Sequence, residues 1–109
     1  MEKQKTKTRE SRIYTKTDAV LPLTVLATAG DLKGEIDLFW EPVRGANTYV
    51  IQRSSARKEN IRWNQVDIVD KSSYTVTGLK TGCKYWFRVA PVSSKGQGLW
   101  STPVQKKAP

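Results

Sequence analysis

The sequence predicts an all-β domain: a seven-stranded antiparallel β-sandwich preceded by an extended N-terminal arm. Three observations predict it. From Pro22 onward apolar side chains recur with a period of two, as a strand with one buried face requires. Turn-forming clusters of Gly, Pro, Asn and Ser break the pattern roughly every 8–12 residues, the spacing of a sandwich. No stretch carries the i, i+3, i+4 repeat of an amphipathic helix.

The elements follow in order. "LPLTVLATAG" is a first strand ending at Gly30, and "GEIDLFWEP" a second. In the second, Ile36, Leu38 and Trp40 share one face, Asp37 and Phe39 the other, and Pro42 ends the run. "RGAN" turns into "TYVIQRS", with Tyr49 and Ile51 inward, and the polar loop "SARKEN" follows. "IRWNQVDIV" is the fourth strand; its pattern admits two registers, so Trp63 can face either way. "YTVTGL" places Tyr74, Val76 and Leu79 inward. "KYWFRVAPV" does the same with Tyr85, Phe87 and Val89, which turns Trp86 and Arg88 outward. "SSKGQG" is a turn and "LWSTPVQ" the last strand, carrying Trp100.

Residues 1–20 are different in kind from the domain at 21–109. Lys3, Lys5, Lys7, Arg9, Arg12 and Lys16 alternate with Thr, Gln and Ser against Glu2, Glu10 and Asp18, a net of +3. Ile13 and Tyr14 are nearly the only apolar anchors, too few to order such a segment by itself. The whole chain of 109 residues carries a net charge of +9, which draws acidic partners. A chain this long buries roughly 60–70% of its unfolded surface, enough for a core without metal or disulfide. Cys83 is the single cysteine, so no internal disulfide forms and either redox compartment is permitted. There is no run of apolar residues long enough for a transmembrane helix, and no apolar segment follows the basic N-terminal residues as a signal peptide requires. With Met1 as the start, cytoplasmic synthesis with a particle-associated or surface destination is the expectation.

The residues from about Leu21 to Pro109 resemble a fibronectin type III domain. Trp40 in "IDLFWEPV" stands at the family's second-strand core tryptophan and Tyr49 in "GANTYVIQ" at its third-strand core tyrosine. "YTVTGLKTGCKYWFRV" is similar to the family's signature: Leu79, a tight turn, then Tyr85. "GQGLWSTPV" resembles the usual final strand. The Leu79–Tyr85 spacing reads as a tyrosine corner, in which the hydroxyl bonds to backbone upstream. A cysteine pair across the sheets, as in immunoglobulin domains, is absent, and "RGA" at Arg44–Ala46 stands where no Arg-Gly-Asp tripeptide occurs. The family's integrin adhesion is therefore not implied. The fold by itself leaves function open.

Chemistry narrows it further. With no histidine, the commonest acid–base group and zinc ligand is missing. The glycines sit at turns and none forms a phosphate loop before a helix; Asp67 and Asp70 lack calcium-loop spacing. No catalytic, metal or cofactor residue is expected. Cys83, without a histidine or helix N-terminus to lower its pKa, reads as structural. Arg53, Arg57, Lys58 and Arg62 form a basic loop diluted by Glu59, open both to phosphates and to plain solvation. The outward Trp86 and Arg88, with Trp100 on the neighbouring strand, are expected to stack as a cation–π ladder that Trp63 extends. Such a ladder either covers its sheet or docks a partner.

The expectation is a non-catalytic structural or binding subunit of a larger assembly, such as a phage-like particle or a surface filament. It docks through the arm (Lys3, Lys5, Lys7, Arg9, Arg12, Ile13, Tyr14), through the Trp63–Trp86–Arg88–Trp100 face, or by strand addition at an open sheet edge. The partner is another copy or another subunit. A nucleic-acid-associated accessory protein threading the arm between phosphates is the alternative, and an adhesive or carbohydrate-binding module of a longer secreted protein the third.

Overall fold

A computed structural model describes residues 22–55 and 61–109. Among the described residues are eight strands: β1 (Val25–Ala29), β2 (Ile36–Trp40), β3 (Thr48–Ser55), β4 (Asn64–Val69), β5 (Ser73–Val76), β6 (Lys84–Ser93), β7 (Gly96–Gln97) and β8 (Val104–Lys107). They form two antiparallel sheets. One has the order β1-β2-β5; the other runs β4-β3-β6-β7, with β8 also paired to β6.

The eighth strand is a small departure from the expected seven, and its cause is local. The extra strand, β7, lies in the expected turn "SSKGQG", and the expected final strand "LWSTPVQ" is regular only from Val104. Gly96 and Gln97 pair with Ser93 and Val92, the chain then leaves the ladder, and pairing resumes at Val104 opposite Phe87. Pro103 has no N–H to donate, so the run cannot be continuous there. The first strand starts at Val25 rather than at Leu21, although Leu23 is already buried in the core. The fourth starts at Asn64, leaving Ile61–Trp63 ahead of it.

The core lies between the sheets, where the period-two pattern places it. Ile36, Leu38, Ile51, Phe87 and Val89 are fully buried, with Trp40 and Tyr49 beside them. The Trp40 and Tyr49 rings meet edge to face at 5.4 Å, a favoured arrangement of aromatic quadrupoles. Tyr49 keeps its hydroxyl satisfied by accepting the Val43 N–H at 2.8 Å, whereas the buried indole N–H of Trp40 has no partner among the described residues.

The tyrosine corner forms as expected: the Tyr85 hydroxyl accepts the Lys80 N–H at 2.9 Å. Leu79 is buried beside it. Tyr85 itself is half-buried at the end of the sandwich, tilted against Phe87. Gly34 ties this corner to the rest. Its carbonyl accepts the Leu79 N–H at 3.0 Å and its N–H donates to Pro109 O at 2.9 Å. Its φ of 79° belongs to the left-handed region that glycine occupies without strain.

Candidate functional site: the outer face of the larger sheet

Alternation along β6 turns Lys84, Trp86, Arg88 and Ala90 away from the core, since Phe87 and Val89 are fully buried on the inner side. The register then assembles rows across this outer face. Gln65, Gln52 and Arg88 form one row, and Ile68, Val50 and Ala90 the next. On the other side of Arg88, Ser54, Trp86 and Gln105 form a row, followed by Lys84 directly opposite Lys107.

Arg88 is the centre of the face. Its guanidinium carbon lies 4.4 Å from the Trp63 ring centroid and 4.1 Å from that of Trp100. Both distances are inside cation–π range. Nε and Nη2 both donate to Gln52 Oε1, at 2.8 and 2.6 Å. Burial lowers the Arg88 pKa from its ordinary value, but an arginine stays protonated in a protein. The arrangement is thus a cation held by two indoles and one amide oxygen, with no carboxylate among the described residues.

The flanking rings differ from the expectation. Trp63 and Trp100 hold the guanidinium, whereas Trp86 was expected to be one of the two indoles. Trp86 sits two residues along the same strand, in the Ser54–Gln105 row. Trp100 is not on the last strand; it lies in the segment between β7 and β8. Trp63 is half-buried on the outer face, which decides between its two registers. The reason is the same for both rings: they ride on irregular segments that can fold over the sheet, whereas Trp86 is held within a regular strand.

Two buried serines fix those segments, and sequence reasoning missed both. The Ser54 hydroxyl oxygen accepts the Arg62 N–H at 3.0 Å, next to Trp63. Ser101 follows Trp100 and grips β6 twice: its N–H donates to Val89 O at 2.8 Å, and its Oγ accepts the Val89 N–H at 2.9 Å. Here a side-chain oxygen replaces the backbone carbonyl of a neighbouring strand. Gln52 was missed as well, because only the β3–β6 register shows it beside Arg88. A polar residue immediately after an outward tryptophan is the one signal that the sequence offered for Ser101.

Val50 and Ala90 are buried, yet neither belongs to the core cluster. They stand on the outer face, one row from Gln52 and Arg88, so their cover comes from outside the sandwich. The Trp63–Arg88–Trp100 stack is the bulk that stands there. Of the basic loop, Arg57 and Lys58 lie outside the described residues. Arg53 is directed to the inner side, 5.8 Å from the Tyr85 ring. The arm residues Lys3, Lys5, Lys7, Arg9, Arg12, Ile13 and Tyr14 also lie outside the described residues.

This geometry defines a class: a two-sheet, immunoglobulin-like antiparallel β-sandwich. The comparisons with known proteins name the family. The fibronectin type III domain family matches residues 23–107, and the chain belongs to it. Among solved structures, a Fn3-like protein from Clostridium thermocellum is 26% identical, with a TM-score of 0.69 over 80% of this chain and 91% of that one. The FN5 domain of Drosophila Lar is 30% identical, with a TM-score of 0.66 over 81% and 94%. The kinase region of C. elegans twitchin is 22% identical with a TM-score of 0.69, but this chain covers 16% of it. Fibronectin type III domains are generally non-catalytic modules of larger proteins and commonly mediate protein–protein contacts.

Proposed function

We propose that this chain is a non-catalytic building or accessory module of a larger protein assembly, and that the outer face around Arg88 is the surface it presents to a neighbouring protein. One observation carries the reading: a cluster of two tryptophans and an arginine stands assembled on the outer face of the larger sheet, and Trp and Arg are the residues that anchor protein interfaces. The stack is rigid, so little side-chain entropy is lost when a partner covers it. The basic arm at residues 1–20 is a second contact in this reading.

A photo-crosslinking side chain placed at Gln105, exposed in the Trp86 row, tests the surface. The control is the same group at Thr75, exposed on the smaller sheet. A defined adduct from position 105 and none from position 75 is expected in cells expressing the full chain. Equal or no crosslinking from the two positions refutes the assignment of the surface.

A further inference from the structure

The outer face has an electrostatic property that the ladder alone does not require. Among the described strand residues, every charge on it is positive: Lys84, Arg88 and Lys107. Asp67, the one acidic residue of β4, pairs with Ile51 and so belongs to the opposite, core-side face. The acidic residues Asp37, Glu35 and Glu41 belong to the smaller sheet and its loops. Lys84 and Lys107 are directly opposite across the β6–β8 pair, a placement of like charges that destabilises a sheet. No described ion pair relieves them.

The donors are also arranged. Arginine offers five N–H groups, and the two facing Gln52 use the Nε side of the guanidinium. The remaining edge, a fork of one Nη1 and one Nη2 hydrogen, has no partner among the described residues and has the geometry that grips a carboxylate with two parallel bonds. At the same time each neighbouring indole, Trp63 and Trp100, already spends one π-face on the guanidinium. Ligands that bind by stacking, such as unpaired bases or sugar rings, need those faces. A carboxylate does not.

Spacing supplies the rest. Lys84, Trp86 and Arg88 are alternate residues of one strand, so the two basic side chains leave the backbone about 13 Å apart with that of the indole midway. An extended peptide laid along β6 presents its own alternate side chains at the same interval.

We infer that this face binds an extended acidic segment of a protein partner, of the pattern acidic–x–apolar–x–acidic. One carboxylate lies in the Arg88 fork, the apolar side chain on Trp86, and the second carboxylate between Lys84 and Lys107. The inference rests on the reading that this face is the protein-contact surface, and it adds the chemistry of the partner. Binding removes the Lys84–Lys107 repulsion, so it is salt-sensitive.

The test is a titration of the full chain with a synthetic peptide, Gly-Ser-Glu-Ser-Leu-Ser-Glu-Ser-Gly, followed by the four indole N–H signals in nitrogen–proton NMR. The Trp40 signal, from the core, is the internal control. The expected result is movement of the Trp86 signal, with smaller shifts of Trp63 and Trp100 and none of Trp40. The peptide with Gln in place of both Glu leaves all four signals in place. The double variant Lys84→Glu with Lys107→Glu weakens binding at least about tenfold, since two exposed attractions become repulsions, while its melting temperature stays near that of the parent, because one opposed like-charge pair replaces another.

Three results overturn the inference: no indole shift at millimolar peptide, equal shifts with the Gln peptide, or unchanged affinity in the double variant. Tighter binding of a heparin oligosaccharide or an oligothymidylate through the same signals transfers the face to another class of ligand and overturns it too. If the crosslink from position 105 forms and the peptide fails, the acidic-partner inference falls alone. If both fail, the contact-surface reading falls with it.

Discussion

Replacing Gly34 by alanine, beside the same change at Gly45, separates backbone strain from a steric clash. Both glycines have φ near +80°, 79° at Gly34 and 85° at Gly45. Each alanine therefore pays the left-handed cost of roughly 1–2 kcal/mol, less about 0.4–1 kcal/mol regained by restricting the unfolded chain. At Gly45 the added Cβ meets nothing within 4 Å, so the net loss stays near about 1 kcal/mol. At Gly34 the Cβ falls 2.6 Å from the carbonyl oxygen of Leu79. That oxygen is backbone in the corner turn and cannot swing aside as a long side chain does. Separation strains the two hydrogen bonds of Gly34, to Leu79 and to Pro109, each contributing about 1 kcal/mol. Gly34→Ala thus costs about 2 kcal/mol more than Gly45→Ala, a gap of roughly 8–16 °C in melting temperature for a domain of this size. Thermal unfolding by circular dichroism, with urea titration for the free energy, measures it. Melting temperatures within about 2 °C of each other refute the reasoning that the Gly34–Leu79 approach is what demands glycine.

Four further outcomes are expected. Trp40→Ala lowers stability by roughly 3–5 kcal/mol in urea unfolding, while Trp40→Phe costs clearly less, because the indole N–H that it removes has no partner among the described residues. Tyr85→Phe strips the acceptor of the Lys80 N–H at an exposed site and costs about 1 kcal/mol by the same measurement. Tyr74 titrates above the ordinary phenol value, first because burial disfavours the phenolate and then because Asp67 is close. Its folded pKa exceeds the unfolded one, so its contribution is complete below the unfolded value and is lost as pH rises through the folded one. Melting temperatures followed from about pH 9 upward fall more steeply in the parent than in Tyr74→Phe, and parallel curves contradict this. Light scattering of the full chain beside a version lacking residues 1–20 reads the arm: assembly only with the arm present supports its docking role, and two monomers exclude self-assembly through it.

The sandwich itself was legible because period-two burial is a local property. Ile36, Leu38 and Trp40, or Phe87 and Val89, announce their inward face whatever strand lies beside them. The tyrosine corner was legible for a similar reason, as its two residues are separated by one tight turn. The face around Arg88 was only half legible. Alternation gave Trp86 and Arg88 their outward direction, but which indoles meet the guanidinium depends on how the segments before β4 and before β8 cross the sheet. That is set by contacts between separate segments: Ser54 to Arg62, Ser101 to Val89, Gln52 to Arg88. The opposition of Lys84 and Lys107, and the exclusion of Asp67 from the same face, likewise exist only once the strand registers are fixed. The sequence by itself determined which way the side chains of the clearly alternating strands β2, β3 and β6 point, since that follows from the pleat. Only the tertiary structure decided which side chains become neighbours, since register and loop path are properties of the paired sheets and not of any one segment.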